Sequence, residues 1–145
     1  MARSMGTIED YFFYRADGFN SRHALSTSDY RGLLLESILS PCPIGNCSFD
    51  SFRVYESLEA GCIPIAVAST PLQPENYYAR LFRTDDLPFP TVIDWERDLP
   101  ALGLGAWSSE QREQVRLRCH AWFQQQKSRV RERMHRALVE AFGGR

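Results

Sequence analysis

Residues 48–67 read SFDSFRVYESLEAGCIPIAV, and the fold of the chain follows from this stretch. Its first part carries apolar residues at every third position, namely Phe52, Tyr55 and Leu58. This spacing predicts a helix over residues 51–60 whose apolar face is formed by those three side chains. Gly61 is placed to end the helix, and the run CIPIAVA that follows is typical of a strand buried on both faces.

The flanking segments extend this pattern on both sides. Upstream, YRGLLLES predicts a short helix capped by Asp29, and SILSPCP predicts a strand that ends at two prolines. Asp50 or Ser48 can cap the helix at residues 51–60. Strand, helix and strand within about thirty residues form a βαβ unit with parallel strands. Downstream, TVIDW predicts a third strand and ERDLPAL a short helix. The sequence from Ser108 predicts a long amphipathic helix, or two helices with a bend between them. The predicted class is therefore α/β.

The composition is that of a globular protein of one ordinary domain. Of 145 residues, 43% are hydrophobic and 24% charged, and the net charge of −1 argues against a surface that generally attracts nucleic acid. Residues 108–145 nevertheless carry nine basic and four acidic side chains, so this end of the chain is positive. We interpret its basic run KSRVRERMHR as a solvated helix face and expect no nucleic-acid partner; a nucleic-acid-binding helix would show steeply salt-dependent affinity.

The N-terminal segment and the cysteines allow fewer conclusions. Residues 1–28 have no clear pattern, so we expect the domain to comprise residues 29–145. No stretch approaches the roughly 18 apolar residues that a membrane span needs. Cys42 and Cys47 are close enough in sequence for a small-loop disulfide, and two free thiols are equally allowed. No cysteine or histidine spacing indicates a metal site, and we expect none.

Two charges on the predicted helix suggest a binding site. Arg53 and Glu56 are three residues apart and project from the same side of the helix. The preceding loop, PIGNCSFDS, lies at the carboxyl end of a predicted strand, where open α/β sheets bind ligands. Gly45 permits close backbone approach there, and the free amides at a helix N-terminus suit a phosphate. Arg53 can add a charge-assisted bond and Glu56 can accept from ribose hydroxyls; an ordinary solvated ion pair between the two is the alternative.

The segment SPCPIGNCSFDSFRVYESLEAGCIPIAV resembles the donor-binding half of exostosin-type glycosyltransferases. That family carries an S-x-R-x-x-E-A-x-x-x-G-x-x-P-V-like signature. Five residues match it in place: Ser51, Arg53, Glu56, Gly61 and Pro64. Two positions depart from it, with Ser57 where the family has alanine and Ile65 where it has valine. The later segments PFPTVIDWERDLPAL and RCHAWFQQQK resemble ribitol xylosyltransferase-like members of the family in particular.

The resemblance implies a GT-B enzyme, in which two Rossmann-like halves enclose a cleft. Such enzymes transfer a sugar from a nucleotide diphosphate donor, usually a UDP-sugar, to a glycan or glycoprotein acceptor. The chain is long enough for the donor-binding Rossmann-like half with its long C-terminal helix. The resemblance therefore implies that the N-terminal, acceptor-binding half, which commonly supplies the catalytic base, lies outside this chain. It also implies a Golgi-lumenal enzyme anchored in the membrane by an upstream segment; a cytosolic protein stays an alternative.

The resemblance also assigns roles to individual residues. The amides around Gly45, Asn46 and Ser48 would hold the diphosphate together with Ser51. Arg53 would be the catalytic group that stabilises charge on the leaving diphosphate, and Glu56 would bind the ribose. GT-B enzymes generally need no metal at the diphosphate, so no cofactor besides the donor substrate is expected. The alternative is a non-catalytic α/β module that binds a nucleotide or a partner protein.

Overall fold

The computed structural model describes residues 25–45 and 48–143. Within these ranges helices and strands alternate as α1 (Thr27–Glu36), β1 (Leu39–Cys42), α2 (Phe52–Ala60), β2 (Ile63–Val67), α3 (Tyr77–Phe82), β3 (Thr91–Val92), α4 (Trp95–Ala101) and α5 (Ser109–Phe142). The predicted α/β class is confirmed. The predicted division of the chain at residue 28 stays a prediction, because residues 1–24 lie outside the described ranges.

The described strands form one parallel sheet in the order β1-β2-β3. Leu39 pairs with Ile63 at the start of the β1–β2 ladder, and Ala66 pairs with Thr91 in the β2–β3 ladder. The central strand β2 is buried along its whole length, as its continuous apolar sequence predicts. Since all three strands run the same way, the loops that lead into α2, α3 and α4 lie at one edge of the sheet.

The buried face of α2 differs from the predicted one. Val54 and Leu58 are fully buried, but the Phe52 side chain is 85% exposed, so its assignment to the apolar face is wrong. Residues in a helix are about 100° apart, which places Phe52 about 200° around the axis from Val54. Residues spaced strictly three apart therefore shift around the helix with each step, and they do not all face the core. Gly61 ends the helix as predicted, with a φ of 80° that favours glycine.

Two of the predicted helix caps are also wrong. The N-cap of α1 is Ser26, whose hydroxyl accepts a hydrogen bond from the Asp29 amide at 3.1 Å, so Asp29 lies in the first turn. The N-cap residue of α2 is Ser51, and neither Asp50 nor Ser48 caps this helix. The Asp50 carboxylate accepts a hydrogen bond from the Tyr55 hydroxyl at 2.6 Å, and the Ser48 hydroxyl donates to the Asp50 carbonyl.

The predicted C-terminal helix is confirmed as one 34-residue helix, α5, which begins with a capping box between Ser108 and Gln111. Its first half packs against α2 and the sheet through buried Cys119 and Phe123, and Trp122 meets Phe82 edge-on with ring centroids 4.7 Å apart. The second half extends away from the core. Its apolar side chains are exposed, namely Val130, Met134, Leu138, Val139 and Phe142.

In the basic run of α5, residues 128–136 are exposed, as predicted, whereas Lys127 is partly buried and forms a salt bridge with Glu59. In residues 25–45 and 48–143, no helix has the length and apolar character that crossing a membrane requires.

Ser57, which replaces the alanine of the signature, has a structural explanation. Its side chain is fully buried, and its hydroxyl is 2.8 Å from the Ser40 hydroxyl on β1 and 2.5 Å from the Arg53 carbonyl. The Ser40 side chain is buried as well. The serine thus links α2 to β1 by a buried hydrogen bond, in which the Ser40 hydroxyl accepts from Ser57.

We expect Ser57→Ala to lower the free energy of unfolding by about 1 kcal/mol, because it removes a buried hydrogen bond and leaves the Ser40 hydroxyl without its 2.8 Å partner. Urea denaturation of the chain measures this, with exposed Ser128→Ala as the control. A Ser57→Ala variant as stable as the wild type would show that the hydroxyl pair contributes nothing.

Candidate functional site

The edge of the sheet at the carboxyl ends of the strands is held together by contacts between its three loops. The Tyr78 hydroxyl donates to the Phe49 carbonyl at 2.9 Å, which ties α3 to the loop before α2. The Asn76 side-chain amide donates to the Thr91 hydroxyl at 3.1 Å, which ties the start of α3 to β3. Phe49 and Tyr77 stack with ring centroids 6.0 Å apart. These contacts connect the three loops to one another.

Gly45 is required by the way in which the loop after β1 folds back on itself. A Cβ atom at this position would lie 2.7 Å from the Asp50 carbonyl oxygen and 3.1 Å from that of Ser48. Any side chain would therefore push against backbone that leads directly into α2. The close approach that this glycine permits within the described residues is that of its own loop; Asn46, predicted to act beside it, lies outside them.

The N-terminus of α2 is open to an anion. Ser51 is buried at the N-cap position, and its side chain makes no capping hydrogen bond. Among the described residues, the first-turn amides of Phe52 and Arg53 therefore have no side-chain acceptor. Such amides, together with the helix dipole, favour a negatively charged group.

Arg53 and Glu56 meet at a third residue, Tyr30 of α1. The Arg53 Nη1 atom donates to the Tyr30 hydroxyl at 3.1 Å, and that hydroxyl donates to Glu56 Oε2 at 3.1 Å. The Arg53 guanidinium also lies over the Tyr30 ring, 5.4 Å from its centroid. No salt bridge joins Arg53 directly to Glu56 in the described part of the chain, so the alternative of a simple ion pair is not what the structure has.

Tyr30 keeps its proton at neutral pH. Burial raises the pKa of its hydroxyl; Arg53 lowers it and Glu56 raises it, and the net shift is upward. A protonated hydroxyl can accept from Arg53 and donate to Glu56 at the same time. Sequence reasoning missed this residue, because it lies 23 residues before Arg53 in a separate helix. Its only signal was an aromatic side chain among the polar residues that open α1.

The sequence-predicted residues thus form two groups. Gly45, Ser48 and Ser51 lie in the loop before α2, whereas Arg53 and Glu56 lie with Tyr30 where α2 faces α1. In residues 25–45 and 48–143 no hydrogen bond links the loop group to the Tyr30 group. A ligand that contacts both groups would have to extend along the first turns of α2.

Cys42 is a free, buried thiol and not part of this site. Burial raises its pKa to about 11, so the thiol is protonated at neutral pH and a poor nucleophile. Its sequence neighbour Cys47 lies outside the described residues. Among the residues that the structure describes, no group of three or more His, Cys, Asp or Glu side chains could hold a metal ion.

A family model described as the RXYLT1 C-terminal domain matches residues 8–142. A search of the curated proteins found no match, and neither did a search of the solved structures.

The α/β domain matches a family model of glycosyltransferases, so the class of protein is a glycosyltransferase-related domain. The chain belongs to the RXYLT1 C-terminal domain family. RXYLT1 is ribitol xylosyltransferase 1, an exostosin-type glycosyltransferase, so the predicted resemblance is confirmed.

The loop that follows β3 at the same edge is held by one carboxylate. Asp98 Oδ2 accepts hydrogen bonds from the backbone amides of Ile93 at 2.8 Å and Asp94 at 2.9 Å, and Arg97 binds both of its carboxylate oxygens. The Arg97 hydrogen bonds, followed by the two backbone amides, hold the pKa of this carboxyl well below its usual range.

We expect Asp98→Asn to lower the melting temperature of the chain at pH 7, because the amide cannot replace the carboxylate in all these bonds. A depressed native pKa stabilises the fold above the unfolded-state pKa, about 3.9 for Asp, and this contribution is lost as the pH falls further. The difference between variant and wild type should therefore narrow below about pH 4. Thermal melts at several pH values, with exposed Asp86→Asn as the control, measure it; a difference that is constant with pH would contradict the assignment.

Proposed function

We propose that the chain is the donor-binding domain of a glycosyltransferase that transfers a sugar from a UDP-sugar to a glycan or glycoprotein acceptor. The observation that carries the proposal is the position of α2. Its uncapped N-terminus lies at the carboxyl edge of a parallel sheet, and its first two turns carry Arg53 and Glu56. Membership of a glycosyltransferase family supports the same reading.

In this proposal the diphosphate lies against the loop before α2. The backbone amides around Gly45, Asn46 and Ser48, the Ser51 hydroxyl and the first-turn amides of α2 donate hydrogen bonds to its oxygens. Ser51 is suited to this role because its hydroxyl is not used as a helix cap. Gly45 lies close to the backbone of Ser48 and Asp50, next to the start of α2.

Arg53 is the proposed catalytic residue. As the bond between the anomeric carbon and the donor phosphate oxygen breaks, its electron pair moves to the diphosphate, and the guanidinium stabilises that charge. The acceptor oxygen forms the new bond to the anomeric carbon and loses its proton to a base outside this chain. The proposal includes no metal and no cofactor besides the donor, since Arg53 and the helix N-terminus provide the positive charge.

Glu56 is the proposed ligand of the ribose. It lies one turn after Arg53 on the same side of α2, so a nucleotide whose diphosphate contacts Arg53 would place its sugar further along the helix. A carboxylate accepts hydrogen bonds from hydroxyl groups and gives charge-assisted bonds that are stronger than neutral ones.

The proposal extends to a second domain and a location. The exposed apolar side chains of the second half of α5, beginning with Val130 and Met134, have the chemistry of a surface that another domain covers. We propose that an N-terminal Rossmann-like half of a longer GT-B protein covers it and supplies the acceptor site and the catalytic base. Residues 29–145 are then the donor domain, and the whole protein is a membrane-anchored enzyme of the Golgi lumen.

Calorimetric titration with UDP tests the proposal. We expect the chain to bind UDP, and we expect Arg53→Ala and Glu56→Ala each to weaken binding by on the order of 1–3 kcal/mol, the range for a lost hydrogen bond to a charged group. Arg80→Ala and Glu36→Ala are the matched controls, because both residues are exposed on other helices, and both should leave binding unchanged. A folded chain that shows no binding at millimolar UDP, or equal losses in the controls, would contradict the proposal.

A further inference from the structure

We infer that Tyr30 is a positioning residue that couples the phosphate-binding and hydroxyl-binding ends of the site. The inference rests on the proposed function, and it assigns a role to a residue of α1, outside the loop and helix that carry the predicted site. Its basis is the hydrogen-bond chain from Arg53 through the Tyr30 hydroxyl to Glu56, with both donor–acceptor distances at 3.1 Å.

The donor and acceptor of each of these two hydrogen bonds follow from the protons that the three side chains carry. An arginine can only donate and an ionised glutamate can only accept, so the single hydroxyl proton of Tyr30 points to Glu56. Hydrogen bonds arranged head to tail polarise one another, and each is stronger in the presence of the other. An anion that binds Arg53 would therefore also alter the hydrogen bond between Tyr30 and Glu56.

For Arg53, Tyr30 limits the conformations of a long side chain that would otherwise be free on the helix surface. The ring supports the guanidinium, 5.4 Å from its centroid, and the hydroxyl takes one of its five N–H groups. The other N–H groups stay available for the oxygens of a diphosphate. A guanidinium that is already held in place loses less conformational entropy when the ligand binds.

For Glu56, Tyr30 leaves one carboxylate oxygen free. Oε2 accepts the Tyr30 proton, and Oε1 can accept from a sugar hydroxyl. Tyr30 is half-buried between α1 and α2, so it is the more rigid partner of the three. When phosphate draws the guanidinium of Arg53, the bond from Tyr30 to Glu56 changes with it. By thermodynamic linkage, the two ends of the nucleotide then bind cooperatively.

Tyr30→Phe tests the inference, because it removes the hydroxyl and keeps the ring. We expect UDP affinity to fall about tenfold, the equivalent of one charge-assisted hydrogen bond of roughly 1.4 kcal/mol, and uridine affinity to fall much less. In the Arg53→Ala background the same substitution should have almost no further effect on UDP. Ser37→Ala, which removes a hydroxyl at the other end of α1, is the matched control and should bind UDP as the wild type does.

The possible results separate the inference from the proposed function. If Arg53→Ala weakens UDP binding while Tyr30→Phe does not, the coupling role is refuted and the donor site stands. If Tyr30→Phe lowers the affinity for UDP and for uridine equally, the role of Tyr30 is merely structural. If Tyr30→Phe and Arg53→Ala lower UDP affinity independently in the double variant, the two residues are not coupled. Either result overturns the inference. If the wild-type chain does not bind UDP, the proposed function fails and the inference with it.

Discussion

Parallel pairing between β1 and β2 requires the chain to return from the end of one strand to the start of the next, and α2 makes this return. The buried strand β2 fixes where α2 can lie, because Val54 and Leu58 pack against the sheet while Ser57 bonds to Ser40 on β1. Gly61 then turns the chain directly into β2. The position of α2 therefore determines the site, since the N-terminus of this helix has to open at the carboxyl edge.

The charges on α2 gain their arrangement from α1. Arg53 and Glu56 are exposed, and exposed side chains of this length are usually mobile and contribute little to stability. Tyr30 changes this by offering each of them a partner on a neighbouring helix that Ser26 caps. The candidate site thus has two parts: the loop residues Gly45, Ser48 and Ser51 before α2, and the side chains of Arg53 and Glu56, which Tyr30 contacts. The proposed donor would lie along both.

The sequence was sufficient to predict the α/β class, because periodicity and the glycine at 61 mark α2 and β2 clearly. It did not predict α3, a short helix within a proline-rich connection. It was less informative where spacing leaves a choice: Phe52 fits a three-residue repeat yet lies about 200° from Val54 around the helix. The cap of α2 was predicted wrongly because Asp50 has a competing partner in Tyr55. The contact of Tyr30 with Arg53 and Glu56 joins separate helices, and no local pattern contains it. The exposure of Val130 and Met134 depends on where the core ends, which periodicity does not reveal.

The central claim is that a nucleotide diphosphate binds at the N-terminus of α2, and amide NMR of the isotopically labelled chain during a titration with UDP tests it most directly. The account predicts that the largest shift changes occur at the amides of residues 48–54, with smaller changes in α1 near Tyr30. Changes confined to the basic half of α5, or no change at millimolar UDP in a folded chain, would contradict it.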